Sequence, residues 1–165
     1  MSKNTLVKLL KKQNILKYGR FKLRSGLYSS YYCDVKEALG NQETLNKIME
    51  GIIPIIPKMT TCIACSGYGG IALASVVAYK MKLPIAFVRN EIKDHGTKKL
   101  IDGYIPTRND YVCIMDDVFT TGSSINDTKQ KLLFLKCKFV KPVVVLNRAE
   151  KNKVISVIRE SDLLK

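Results

Sequence analysis

At 165 residues the chain has the length of a single domain and can bury a proper core. Its apolar fraction of 46% and mean hydropathy of −0.02 describe a soluble globular protein. No apolar run approaches the roughly 18 residues of a membrane span, and the polar start Met1-Ser2-Lys3-Asn4 lacks a signal peptide's apolar core, which points to the cytoplasm. Twenty-eight basic residues against fourteen acidic ones give a formal charge of +14. That surplus suits a polyanionic substrate and equally suits RNA or DNA. With the lysines spread along the chain, charge alone decides nothing.

Leu6, Leu9, Leu10, Ile15 and Leu16 recur at roughly helical spacing among lysines, so residues 4–18 are predicted as an amphipathic helix ended by Gly19. Residues 21–24 and 31–35 flank a Gly/Ser-rich stretch and predict a β-hairpin. A second helix over 41–53 stops near Pro54 and Pro57, and 60–65 reads as a buried strand. Cys62 and Cys65 in that strand are three residues apart and face opposite sides of it. Cys113 and Cys137 are isolated and His95 is the only histidine, so a four-ligand metal site lacks donors and the five cysteines read as reduced, buried thiols. The turn Ser66-Gly67-Tyr68-Gly69-Gly70 leads into an apolar helix over 71–81, followed by a strand over 84–88.

Residues 89–99 are charged and aperiodic, hence a loop. A strand over 111–116, a helix over 124–136, strands over 140–146 and 153–158 and a short helix over 159–164 complete the chain. Strands alternating with helices predict an α/β fold with a parallel sheet flanked by helices and a site at the strands' C-terminal ends. Residues 1–36 are expected to form a small hood over a core of residues 37–165 within one domain.

The most informative segment is CIMDDVFTTGSS, residues 113–124. An apolar strand ends in Asp116 and Asp117, and three residues later a turn of hydroxyls and glycine, Thr120-Thr121-Gly122-Ser123-Ser124, opens an amphipathic helix. Backbone N–H groups and the positive end of the helix dipole converge at such a turn and favour a phosphate. The adjacent carboxylates cannot bind phosphate but accept hydrogen bonds from sugar hydroxyls. Together they indicate a sugar phosphate. The turn alone reads equally as a Thr/Ser cap, and it is the acid pair beside it that favours the ligand.

Two further segments fall where a site belongs. CSGYGGIALA, residues 65–74, repeats the strand–glycine turn–helix device, with Tyr68 as a flat wall, or is simply a tight turn with close packing. VRNEIKDHGT, residues 88–97, brings Arg89, Lys93 and His95 into one loop, able to neutralise a departing pyrophosphate or merely to face solvent.

The acid pair and Thr-Thr-Gly-Ser resemble the ribose-phosphate signature of the type I phosphoribosyltransferases. Together with the hairpin FKLRSGLYSSYY (residues 21–32) and the Lys-Asp-His-Gly loop, they make the chain similar to the orotate phosphoribosyltransferase family from Phe21 to the 153–158 strand. The resemblance implies transfer of phosphoribose from 5-phosphoribosyl 1-pyrophosphate to orotate, with Mg2+ held mainly by substrate and water. It assigns the ribose hydroxyls to Asp116 and Asp117 and the 5-phosphate to the stretch from Val118 and Phe119 through Thr120, Thr121, Gly122, Ser123 and Ser124. It assigns the pyrophosphate to Arg24, Tyr68, Gly69, Arg89, Asn90, Lys93 and His95, with the 89–99 loop reaching the neighbouring site of a homodimer. Lys93, His95, Asp116 and Asp117 are the implied catalytic set, and Arg24, Tyr32, Cys33, Thr120 and Arg148 the implied orotate contacts. Arg148 also makes sense independently as a planar bidentate partner for a carboxylate. Gly69 and Asn90 stand where many family members carry lysine. Transfer to another base, or a donor-sensing regulator that grips nucleic acid, are the alternatives.

Overall fold

The computed structural model describes residues 3–22, 26, 28–91, 99–150 and 153–164. Its first helix, α1 (Lys3–Lys12), is shorter than its apolar spacing predicts. Asn14 takes a left-handed conformation at φ +53 and turns the chain back, so Ile15 and Leu16 leave the helix. Leu16 instead opens strand β1 (Leu16–Lys22), which pairs antiparallel with β2 (Tyr28–Cys33) from Leu16↔Cys33 onward. Gly19 therefore lies inside a strand, at an irregularity between Tyr18 and Phe21, and does not end a helix. Val35 opens a short helix, α2 (Val35–Leu39), rather than closing the hairpin.

Helix α3 (Gln42–Ile52) starts where Asn41 accepts the Thr44 N–H at 3.0 Å, a side-chain cap for an amide that the helix leaves without a partner. A 3-10 turn (Ile53–Ile55) carries Pro54 and ends it. Strand β3 (Cys62–Cys65) then runs straight into α4 (Gly67–Met81), which begins four residues before the predicted start. The glycines that read as loop form the helix's first turn, with Ser66 at the position before it. Strand β4 (Ile85–Val88) follows, and the three-residue β5 (Ile101–Gly103), too short for any periodicity, pairs antiparallel with it.

Strand β6 (Tyr111–Phe119) runs three residues beyond the predicted 111–116. Its partner β8 (Val143–Asn147) explains the extension: the parallel ladder continues through Asp116↔Val144 and Val118↔Leu146 to Phe119↔Asn147, so both acids sit within the strand. Helix α5 (Ser123–Leu132), a 3-10 turn (Leu133–Leu135), the two-residue β7 (Lys138–Phe139), β9 (Ile155–Arg159) and α6 (Glu160–Leu163) complete the described chain.

The sheet order is β5-β4-β3-β6-β8-β9, with β7 joined to β6 and every pairing parallel except β4 with β5. Alternate residues of the central strands feed two apolar clusters. Ile63, Cys65, Cys113, Met115, Val143 and Val145 pack with Leu6 and Leu10 of α1, Ile48 of α3 and Leu73 of α4. Cys62, Ala64, Val112, Ile114 and Val144 pack with Ile125 and Leu132 of α5. Cys62 and Cys65 thus serve opposite faces, as their spacing predicts. Strands covered on both faces are continuous apolar runs, and β3 and β8 are buried throughout.

Candidate functional site

Parallel strands β3, β6 and β8 end on one edge of the sheet, and a cleft of about 420 Å³ opens there. From β6 come Asp116, Asp117 and Val118, and from the turn beyond it Thr120 and Ser124. The first turn of α4 supplies Ser66, Gly67, Tyr68 and Gly69, and the residue after β8 supplies Arg148. Across the opening stand Tyr32 and Cys33 of β2, Lys22 of β1 and Lys36 of α2. Phe119, Gly122 and Ser123 line an adjoining recess together with Asp116 and Thr120. Thr121 lies in the exposed turn, where its hydroxyl accepts the Ser123 N–H at 3.4 Å.

The turn has the geometry of an anion cradle. Gly122 caps α5 at φ +84, a left-handed conformation that penalises side chains. A Cβ there would also sit 2.6 Å from the Phe119 ring, so conformation and space both require glycine. The amino-terminal end of helix α5, with its partial positive charge, then faces the recess. Thr128 anchors this helix: its hydroxyl donates to the Ser124 carbonyl at 2.9 Å and meets the Ser66 hydroxyl at 2.8 Å, joining α5 to the start of α4.

The acids are held by the strand's own amides. Asp116 Oδ1 accepts the Asp117 N–H at 3.0 Å, and Asp117 Oδ1 accepts the Val118 N–H at 2.9 Å. The first turn of α4 lies directly against them. A Cβ on Gly69 would fall 2.2 Å from Asp117 Oδ2, and one on Gly70 would fall 3.1 Å from the Met115 carbonyl and 3.3 Å from Asp116 Oδ1. Asp117 occupies the space that a side chain at position 69 would need.

Arg148 is tied into a network. Its amide donates to the Phe119 carbonyl at 2.8 Å, Nε donates to Glu160 Oε1 at 2.7 Å, and Nη2 donates to the Ser29 hydroxyl at 3.2 Å. The guanidinium also stacks 4.3 Å from the Tyr31 ring centroid, and the Tyr31 hydroxyl donates to the same Glu160 oxygen. Burial works against the Arg148 charge, but Glu160 and Tyr31 outweigh it and hold the group above its ordinary pKa. The Tyr31 phenol is pushed up by burial and by Glu160, with Arg148 opposing. Burial pushes the Cys33 thiol up to about 11, so it meets the cleft as a neutral group.

The structure thus brings Tyr32, Cys33, Tyr68, Gly69, Asp116, Asp117, Val118, Thr120, Ser124 and Arg148 to one cleft, with Phe119, Gly122 and Ser123 beside it. Arg89 and Asn90 are not among the residues lining this chain's cleft. Arg89 pairs with Asp102 at 2.6 Å, and the Asn90 carbonyl accepts from Lys131 Nζ at 2.7 Å. Arg24, Lys93 and His95 lie outside the described residues. Sequence reasoning missed Lys22 and Lys36, and took in Ser66 and Gly67 only as part of the glycine turn. Ser66 carried a usable signal as a cap before the glycines, whereas Lys36 is only one of many lysines until the fold places it.

Residues 37–160 match the phosphoribosyl transferase domain family. An orotate phosphoribosyltransferase of Methanosphaera stadtmanae is 34% identical over 149 residues, 90% of this chain and 83% of that one. Another, from Pyrobaculum islandicum, is 39% identical over 112 residues, 67% of this chain; that alignment spans 58% of the longer relative. The crystal structure of orotate phosphoribosyltransferase from Aeropyrum pernix superposes with a TM-score of 0.78 at 26% identity, covering 96% of each chain. A likeness that runs almost end to end, through the acid pair and the anion turn, places the chain in the phosphoribosyltransferase family, among the orotate phosphoribosyltransferases.

Proposed function

We propose that this cleft transfers phosphoribose from 5-phosphoribosyl 1-pyrophosphate to orotate, giving orotidine 5-phosphate and pyrophosphate, a step of pyrimidine nucleotide synthesis. The observation that carries the reading is the shared cleft: an acid pair and a glycine-capped anion turn on one wall, with a fixed arginine a strand away. The turn at 120–124 holds the 5-phosphate, and Asp116 and Asp117 accept hydrogen bonds from the ribose hydroxyls. Arg148 faces the carboxylate of orotate. A ring nitrogen of the base bonds to the anomeric carbon as the bond from that carbon to the pyrophosphate oxygen breaks. The electron pair of that bond leaves with pyrophosphate, and the proton displaced from the ring nitrogen passes to pyrophosphate or water. No protein nucleophile is needed. Catalysis consists of holding donor and base in line and stabilising charge in the oxocarbenium-like transition state and on the leaving group.

Magnesium fits this donor set as a substrate-borne ion. Among the described residues no three His, Cys, Asp or Glu side chains converge on a common point, whereas Asp116 and Asp117 offer hard oxygens beside the donor's own. They would hold it largely through water, and when bound it supplies charge neutralisation for pyrophosphate.

A homodimer belongs to the same reading. Tyr68, Ile71 and Tyr79 are exposed along one side of α4, an apolar stripe that begins at the cleft and suits a second copy. Arg89, Asn90, Lys93 and His95 then act on the neighbouring copy's pyrophosphate. A cytoplasmic setting is supported by five buried, unpaired thiols. Among the described residues no helix is long and apolar enough to cross a membrane.

The deciding assay is pyrophosphate release from purified protein, magnesium and donor, with orotate, uracil, adenine and hypoxanthine offered separately. Release with orotate alone is expected. Release with another base would keep the reaction class and remove the orotate assignment of Arg148. In calorimetry, Asp117→Asn is expected to weaken donor binding about ten- to a hundredfold, the worth of a charged hydrogen-bond acceptor. Unchanged binding would remove Asp117 from the ribose site.

A further inference from the structure

The cleft carries more committed charge than its residue types suggest. Asp116 and Asp117 are acidic, and Arg148 already spends its charge on Glu160. Lys22 also lines the cleft, from the end of β1. Lys36 lines the cleft as well, and the charge of Asp117 acts on it. Helix α2, which carries it, packs against both α4 and β6. Lys36 Nζ lies 2.9 Å from Asp34 Oδ1 and donates to the Tyr32 hydroxyl at 3.3 Å. Its side chain stays 40% exposed, so the ammonium can still turn toward a ligand.

We propose that Lys36 binds the pyrophosphate of the phosphoribosyl donor, a role that rests on the reading of the cleft given above. With the 5-phosphate on the 120–124 turn and the ribose on the acids, the group at the anomeric carbon must point away from α5. The wall facing it is the first turn of α4 and Lys36. In the free protein the ammonium is held by Asp34 and feels the charge of Asp117. Burial opposes its charge, but Asp34, Tyr32 and Asp117 together keep the group protonated well above the ordinary lysine range. Once ribose hydroxyls occupy Asp117, that carboxylate's hold weakens and the pyrophosphate becomes the stronger partner. Gly69 opposite adds amide but no charge, because Asp117 fills the space above it. Lys36 is therefore a side chain placed to neutralise the leaving group.

The test compares the full chain with Lys36→Met, which keeps length and removes charge, Lys36→Arg, which keeps charge, and Asp34→Asn, which removes only the resting partner. Calorimetry with magnesium pyrophosphate and with the donor is paired with KM values for donor and orotate. Lys36→Met is expected to weaken pyrophosphate and donor about ten- to a hundredfold and leave the orotate KM within about twofold. Lys36→Arg should retain most of the affinity, and Asp34→Asn should leave it unchanged or raise it. Donor and pyrophosphate affinities of Lys36→Met matching the parent protein would overturn the assignment, as would an equal loss in Asp34→Asn, which would make the ion pair merely structural. Lys36→Gln serves the same comparison if the Met variant does not fold. Failure of the parent protein itself to bind donor would instead remove the phosphoribosyl reading on which the assignment rests.

Discussion

Glycine 69 separates two quantities that usually move together. Alanine is the better helix former by about 0.5–1 kcal/mol, and position 69 lies in the first turn of α4, so in Gly69→Ala helix propensity offsets part of the cost of displacing Asp117 from the Val118 N–H, and the melting midpoint should move little. The added Cβ would fall 2.2 Å from Asp117 Oδ2 and must turn that carboxylate away. The expected outcome is a stable protein whose donor KM rises about tenfold or more, in proportion to a lost charged hydrogen bond. A normal donor KM in a folded variant would show that Asp117 need not occupy this position. Residue chemistry of this kind was partly legible. Asp116, Asp117 and the 120–124 turn stood out because they are neighbours in the chain, and the fold brings them to one cleft and its adjoining recess. Lys36 did not, because its neighbours Asp117 and Gly69 come from other elements. Arg148 was legible as a candidate, but its commitment to Glu160, twelve residues on, was not.

Among elements, a polar link joins the β1–β2 hairpin to the residues that follow the sheet's last strands. Tyr31 and Ser29 of β2 meet Arg148 after β8 and Glu160 of α6, and Glu160 accepts from both Tyr31 and Arg148. Glu160→Ala would leave a guanidinium with only 10% of its side chain exposed, and a phenol beside it, without their acceptor. A loss of about 2 kcal/mol in urea unfolding is expected, together with a raised orotate KM as the guanidinium loses its orientation. Glu160→Gln keeps an acceptor and should recover part of both. An orotate KM unmoved by either substitution would confine Glu160 to stability. The element boundaries that sequence reasoning misplaced share a cause. Apolar spacing continued through Asn14, but the left-handed turn there diverted the chain into β1. Glycines after β3 read as loop because helix propensity penalises them, yet close packing on the acids selects them for the first turn of α4. Strand β6 outlasted its apolar run because β8 supplies ladder partners past Asp116.

At the scale of the whole molecule, the five cysteines are buried on both faces of the sheet and along its margins. Burial raises Cys62, Cys65 and Cys113 from an ordinary 9.0 to about 12, Cys33 to about 11, and Cys137 in the same direction. A thiol whose folded pKa is raised loses its proton first in the unfolded chain. Its contribution to stability is therefore complete below about pH 9 and falls away as pH climbs toward about 12. Unfolding free energy should be flat near neutrality and drop by about 1 kcal/mol per deeply buried thiol by about pH 10. Alkylation should spare the folded protein near pH 8 and reach all five sites in denaturant; rapid labelling of the native chain would contradict this burial. The parallel order and two-sided core were legible from strands alternating with helices, whereas the antiparallel β5 was too short to leave a pattern.

The backbone bond from Arg148 N–H to the Phe119 carbonyl has a metrical consequence. The turn proposed to cradle an anion and the arginine one strand away start from the same rung of a ladder whose spacing is about 4.8 Å. With the guanidinium pinned by Glu160, Ser29 and Tyr31, the gap between the two contacts is a fixed gauge. A ligand that must touch both ends is measured for length before its identity is read. One longer by a single carbon, about 1.5 Å, would have to release one end.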